Sequence, residues 1–354
     1  MFSKLEESRY SRHIKLDGFG IEAQNKLKEA SVLCIGAGGL GATILQYLGS
    51  AGVGKITIID GDIVEDSNLQ RQVIFDTEDI GVPKALAAKI QMLKLNPYIE
   101  VEAVEEYLTI DNAIELCEEH DVIVDGSDNF QTRYLVNDAC VITNKPFVYG
   151  AVYKFNGQVA VFNVEESATY RCLYPMPPTP GEMLSCGDVG VLGVLPGLIG
   201  CYQANEVIKI ITGIGEPLVN KLLTIDTLTI EHSVFGFQRN ETIVIDQLMN
   251  NYDTFCGVNF TGVTELKRED IVLADYYVID VRTLQEYQSG HLEGAIFIPA
   301  RSIQNKLEAI PRDKKVLVYC QFGVRSAAVV QKLQDEHSYT NLYSLEKGYV
   351  GLKI

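Results

Sequence analysis

Short unbroken apolar runs alternate with stretches of helical spacing through the first half of the chain. "SVLCI" (31–35) is such a run and ends in the glycine turn "GAGGLG". "ATILQYLGSAG" (42–52) spaces its apolar residues helically, and "KITIIDGD" (55–62) is a second apolar run. Together they predict a βαβ unit. The alternation continues with a helix opened by Pro83, a strand near "VEAVEEYL", a helix around "NAIELCEEH", the strand "DVIVDGSDN" and a helix across "TRYLVNDACVI". This order implies an α/β fold, a doubly wound, Rossmann-like, mostly parallel sheet. From about residue 146 the pattern changes to short strands, "PFVYGAVY" and "GQVAVFN", followed by the Pro/Gly-rich loop "YPMPPTPGEMLSCGDVG". A loop of that length inside a compact domain is usually functional or mobile. "VGVLGVLPGLIGCYQANEVIKIITG" reads as a buried helix, because it is broken by Pro196 and carries Gln203, Asn205, Glu206 and Lys209. "NNYDTFCGVNFTG" (250–262) is polar and aperiodic, and a new alternation follows it. The expected domains are therefore 1–250, a linker at 251–262, and a second, smaller α/β domain at 263–354.

Composition supports two folded domains. A chain of 354 residues is long for one core, and 47% hydrophobic with 22% charged residues is the balance of a folded, soluble protein. The eight cysteines are scattered without paired spacing, which argues against a disulfide framework and for a reducing, cytoplasmic setting. A net charge of -17 opposes nucleic acid and anionic membranes as partners. No segment has the pattern of a leader or a membrane span.

The glycine turn decides what the first domain holds. Gly36, Gly38, Gly39 and Gly41 allow a tight turn and let backbone N–H groups approach a phosphate at the start of a helix. Asp60, at the end of "ITIID", is placed to accept hydrogen bonds from a ribose. Cleaving ATP between its α and β phosphates builds charge that needs cations and a metal. Arg71 can grip phosphate as a fork, Lys84 can act as a point charge, and Asp128, just past a strand end, can hold Mg²⁺. A nicotinamide-dependent oxidoreductase would share the turn and Asp60 but does not call for those charges.

The combination "GAGGLG…IIDGDIVEDSNLQRQ…GVPK…DGSDN" resembles the adenylyltransferases of the MoeB/ThiF type, which activate sulfur-carrier proteins for molybdopterin and thiamine synthesis and are related to the ubiquitin-activating enzymes. The resemblance covers roughly residues 5 to 235. It implies ATP and Mg²⁺ as cofactors, and adenylation of the C-terminal glycine of a small ubiquitin-like carrier ending in Gly-Gly. It also implies Asp60 and Asp62 at the nucleotide, Asn68, Arg71 and Lys84 at the phosphates, and Asp128 at the metal. "RYSRHI" matches the family's N-terminal motif, so Arg12 is expected to reach the triphosphate across a homodimer interface. Cys186 in "MLSCGDVG" matches a loop cysteine that links covalently to the carrier in some members. The family's usual structural zinc needs two CxxC pairs. Here the first reads "TYRC" and no second occurs, so no zinc is expected.

The last ninety or so residues hold "DVR…EY…GH…GA…IP" and then "KVLVYCQFGVRS", which resemble a single-domain rhodanese sulfurtransferase. Cys320 follows an apolar strand and opens a loop whose N–H groups can form an anion-binding nest before a helix begins. A persulfide there is expected to be stabilised by those N–H groups and by Arg325. Asp280, Arg282 and Glu286 are expected to be supports. The usual glycine pair and tryptophan are replaced by "KGYVGLKI". The fusion implies that a persulfide, loaded from thiosulfate or a cysteine desulfurase, attacks the carrier adenylate, with a thiol such as Cys186 releasing the thiocarboxylate.

Overall fold

The computed structural model describes residues 2–178, 190–256, 262–321 and 323–349. They form two compact units, the larger built on residues 2–176 and 190–252 and the smaller on residues from 253.

Two helices, α1 (Lys4–Ile14) and α2 (Gly20–Glu29), precede the sheet of the larger unit. Ser3 caps α1 in a reciprocal box with Glu6, the expected use of Ser and Glu three residues apart. The strands are β1 (Ser31–Ile35), β2 (Lys55–Ile59), β3 (Glu100–Val104), β4 (Val122–Asp125), β5 (Phe147–Tyr153), β6 (Asn156–Phe162), β7 (Lys221–Asp226) and β8 (Glu231–Gly236). They form one sheet in the order β3-β2-β1-β4-β5-β6-β7-β8. β1 to β5 pair in parallel, and β6, β7 and β8 add antiparallel. The change of texture near residue 146 is this switch: after β5 the chain turns back through a hairpin at Lys154, which takes a positive φ of 56°.

The covering helices are α3 (Gly39–Ala51), α4 (Lys84–Leu95), α5 (Ala113–Glu118), α6 (Phe130–Ile142), the short α7 (Tyr170–Leu173) and α8 (Val194–Thr212). Pro196 does not break α8. It occupies the first turn, where its missing N–H would have had no helical partner. α8 then packs closely on α3: a methyl group on Gly200 would stand 2.7 Å from the Leu40 carbonyl oxygen. Among the described residues no helix is long and apolar enough to cross a membrane.

β1 lies between β2 and β4, so the connections leaving its two neighbours diverge to opposite sides. In an open parallel sheet that divergence leaves a crevice at the carboxyl ends of the strands.

The smaller unit is a parallel five-stranded sheet, ordered β11-β10-β12-β13-β9, from β9 (Glu265–Leu266), β10 (Tyr277–Asp280), β11 (Ile296–Phe297), β12 (Val316–Tyr319) and β13 (Leu342–Leu345). Its helices include α9 (Leu284–Gln288) and α10 (Val324–His337). Ile279, Val316, Val318, Val330 and Leu342 form its buried centre.

Candidate active sites

The crevice of the larger unit is a pocket lined by Gly36, Gly38 and Gly39, by Asp60, Asp62, Arg71 and Lys84 from beyond β2, and by Asp128, Asn129 and Arg133 from beyond β4. Gly36 carries a φ of 85°, and a side chain on Gly41 would lie 2.0 Å from the Gly36 carbonyl oxygen, so the turn closes only on glycines. Gly41 does this from inside α3 and does not line the pocket. Asp60 ties the turn to β2. One of its oxygens accepts the Ala37 N–H at 2.8 Å and the other the Asp62 N–H at 2.9 Å. Burial pushes its carboxyl up, against the pull of those two N–H groups.

Lys84 opens α4 behind Pro83, only 7% exposed, and its Nζ pairs with Asp62 at 2.9 Å. Burial would raise the Asp62 carboxyl, but hydrogen bonds from the Tyr107 hydroxyl and Lys84 outweigh it and hold it below the usual range. Arg71 lines the pocket with one Nη donating to the Ser67 carbonyl at 3.1 Å. Asn68 is buried and outside the lining: its Oδ1 accepts the Glu65 N–H, and its carbonyl takes the N–H groups of Arg71 and Gln72. It holds the segment that presents Arg71. Arg12 is exposed near the end of α1 and does not line its own chain's pocket. Cys186 lies outside the described residues.

Asp128 is exposed at the pocket edge. Among the described residues no group of three or more His, Cys, Asp or Glu side chains could hold a metal by itself. An exposed carboxylate at the edge of a pocket that also presents Arg71 and Lys84 fits Mg²⁺, which binds through one or two carboxylates with substrate phosphates rather than in an all-protein cage. Cys172, the cysteine of "TYRC", makes hydrogen bonds. Its sulfur accepts the N–H groups of Thr169 and Asn240. Beside it Arg171 forks onto Asp138 at 2.7 Å, and the Tyr252 hydroxyl donates to the same carboxylate at 2.7 Å.

In the smaller unit Cys320 follows β12 and is buried. Its sulfur accepts the Gly323 N–H at 3.1 Å, and Gly323 caps α10 with a φ of 95°. Behind it stand two fully buried hydroxyls. Ser326 Oγ lies 3.6 Å from the sulfur, donates to the Gly323 carbonyl at 2.7 Å and meets Ser344 Oγ at 2.9 Å. Arg325 forks its guanidinium onto Glu286, with N–O distances of 2.9 and 2.6 Å, while its charge still acts on Cys320. The carboxylate offers two acceptors in the plane of the fork, which one sulfur cannot match. Burial would raise Glu286, yet Arg325 and the Thr283 N–H and hydroxyl hold it down at about 2. Arg282 pairs with buried Asp280 and extends one Nη to the Gln321 side chain at 2.9 Å, bracing the loop.

Arg133, Asp125 and Tyr107 in the first site and Ser326 and Ser344 in the second are not among the residues expected from the sequence. "DGSDN…R" and "CQFGVRS" contained the first two and Ser326 as flanking letters. Tyr107 and Ser344 come from distant strands and loops with no local signal.

The chain matches the ThiF family over residues 10–242 and the rhodanese-like domain over residues 264–354. It is 40% identical to the probable adenylyltransferase/sulfurtransferase MoeZ of Mycobacterium tuberculosis, across 98% of this chain and 93% of that protein. It is 46% identical to a sulfur carrier protein adenylyltransferase of Thermus thermophilus, across 73% of this chain and 99% of that one. Among solved structures, E. coli MccB with ATP superposes with a TM-score of 0.60 at 26% identity, covering 69% of this chain and 75% of that one. The family matches and these relatives thus define an ATP-using adenylyltransferase joined to a sulfurtransferase. The chain belongs to the ThiF family and carries a rhodanese-like domain after it.

Proposed function

We propose that the protein adenylates the C-terminal glycine of a ubiquitin-like sulfur carrier and then converts it to a thiocarboxylate, as molybdopterin or thiamine synthesis requires. The observation that carries this is the gathering of the glycine turn, Arg71, Lys84 and Asp128 around one pocket, in a chain that also presents a buried cysteine on a loop N–H. In the first step a carrier carboxylate oxygen attacks the α-phosphorus of ATP. The new O–P bond forms as the α–β bridge breaks, and pyrophosphate leaves. Arg71 and Lys84 offset the charge gathering on the phosphates, Lys84 by exchanging Asp62 for a phosphate oxygen. Mg²⁺, when held by Asp128, neutralises phosphate charge in the same place. In the second step the outer sulfur of a Cys320 persulfide attacks the acyl carbon and AMP leaves with the bonding pair. A thiol, from Cys186 or from solution, then cleaves the resulting acyl disulfide, becoming a disulfide itself as the thiocarboxylate departs.

The relatives support this reading: one is named as acting on a sulfur carrier, and another joins the two activities in one chain of similar length. Arg12 lies outside its own chain's pocket, which supports its supply from a partner subunit in a homodimer. Carrier-dependent exchange of labelled pyrophosphate into ATP tests the first step. Arg71→Ala and Asp128→Ala should each lower it by about a hundredfold or more while thiosulfate:cyanide sulfurtransfer continues. Full exchange in either variant removes that residue from the mechanism.

A further inference from the structure

Arg133, in the first turn of α6, is a cation of the nucleotide pocket that no motif marked, and it is only 7% exposed. Its guanidinium lies 5.4 Å from the Phe130 ring centre and 5.6 Å from that of Tyr149. One Nη donates to the Ser127 carbonyl at 3.3 Å. Its Nε has no hydrogen-bond partner. The nearest acid oxygen, Asp125 Oδ2, is 3.8 Å away, outside hydrogen-bond reach, and that oxygen is itself buried without a hydrogen bond. Leaving a buried charged donor unmade is costly, and a guanidinium fork facing a cavity matches a planar two-oxygen anion better than any neutral group.

The topology indicates which anion. Asp60, Asp62, Arg71 and Lys84 all follow β2, on one side of β1. Arg133 follows β4, on the other side, where Val152 of the neighbouring β5 also lines the pocket. Arg71 and Lys84, the cations assigned to the phosphates, therefore stand across β1 from Arg133, which lies beside Asp128 on the β4 side and is left for the second anion of the reaction. Building on the adenylation reading above, we propose that Arg133 grips the C-terminal carboxylate of the carrier and holds it against the α-phosphorus. Asp125 is a positioning residue that sets the guanidinium from behind. The carboxylate arrives ionised, so no proton moves. One oxygen becomes the bridging oxygen of the acyl phosphate, and Arg133 offsets the repulsion between two anions brought into contact.

The test uses the full chain loaded with an ATP analogue that cannot be cleaved between the α and β phosphates. The probes are a ubiquitin-fold carrier ending in Gly-Gly and the same carrier with its C-terminal carboxylate converted to an amide. The unaltered protein should bind the carboxylate form about tenfold or more tightly than the amide. Arg133→Gln should bind both alike, with affinity for the ATP analogue changed by less than about twofold, which also reports that the site is folded. Arg133→Lys, which keeps the charge but not the fork, should retain part of the discrimination with the same nucleotide affinity, and it carries the test if the Gln variant does not fold. Undiminished discrimination in these variants overturns the assignment. So does an equal loss of carboxylate preference and ATP-analogue affinity, which would make Arg133 a phosphate residue. If the unaltered protein gives no carrier-dependent pyrophosphate exchange, the adenylation reading fails and this proposal with it. Exchange together with unchanged discrimination in Arg133→Gln rejects Arg133 alone.

Discussion

At Cys320, among the described residues, one N–H and one hydroxyl stand within reach of the sulfur, at 3.1 and 3.6 Å. The Ser326 hydroxyl has a single proton and at rest gives it to the nearer Gly323 carbonyl, at 2.7 Å. A sulfur that becomes anionic competes for that proton, while Ser344 remains to satisfy the carbonyl side, 3.5 Å from it. Cys320→Ser is expected to abolish persulfide formation from thiosulfate, read as loss of the one-sulfur mass gain on its peptide, with ATP–pyrophosphate exchange unchanged. Ser326→Ala should slow the same loading by roughly two- to tenfold, the worth of one hydrogen bond. A rate equal to that of the unaltered protein would mean the hydroxyl pair only packs. Glu286 yields a pH prediction. Its carboxyl falls from an ordinary 4.5 to about 2 on folding. A depressed carboxyl adds stability above its unfolded value and loses it as pH falls through its folded one. The stability advantage of the unaltered protein over Glu286→Gln, measured in denaturant on the smaller unit's transition, should therefore be full at neutral pH and shrink between about 4.5 and 2. An advantage constant with pH would show that the Arg325 pair is not its source.

Among the elements, α6 and α7 are joined by a buried ion pair. Asp138, on α6 and 1% exposed, takes the Arg171 fork and the Tyr252 hydroxyl, while Asn137 accepts the Tyr170 N–H at 2.7 Å. Around them Phe147, Tyr149, Phe162, Tyr170 and Tyr174 stack edge-on and tilted. One carboxylate thereby joins α6 to α7 and to Tyr252, far along the chain. Asp138→Ala removes the anion beneath a buried guanidinium and should destabilise the larger unit by about 3–5 kcal/mol. Thermal unfolding checks this, and metal chelators should leave the melting temperature of the unaltered protein where it is. A shift on chelation would restore a metal to this lobe.

For the whole molecule, the separation into two units predicts that their chemistries fail separately, as the variants at Arg71 and Cys320 would show. Arg12 is exposed and does not line its own chain's pocket, and the proposal that a second copy receives it can be tested by mixing subunits. Arg12→Ala and Asp128→Ala proteins, each inactive alone, should regain part of the exchange activity when their subunits are mixed, because a heterodimer then holds one intact site. Confirmed heterodimers without activity would place Arg12 outside the mechanism.

The sequence by itself determined the parallel half of the sheet, because β1, β2 and β4 are runs of apolar residues that only burial on both faces explains, and glycine, proline and cap residues mark their joints. It determined the glycine turn, since the fit of Gly41 against the Gly36 carbonyl is a local matter, and it located Cys320 from its strand–loop–helix setting. Tertiary structure decided how the charges are spent. Arg325 turns to Glu286, 39 residues earlier, Lys84 to Asp62, and Asn68 to its own loop, choices that depend on distances between elements. Tertiary structure also turned Pro196 from an interruption into a helix start, and gave Arg133 its place. A buried guanidinium and a solvated one are the same letter, and only the walls around Arg133 distinguish them.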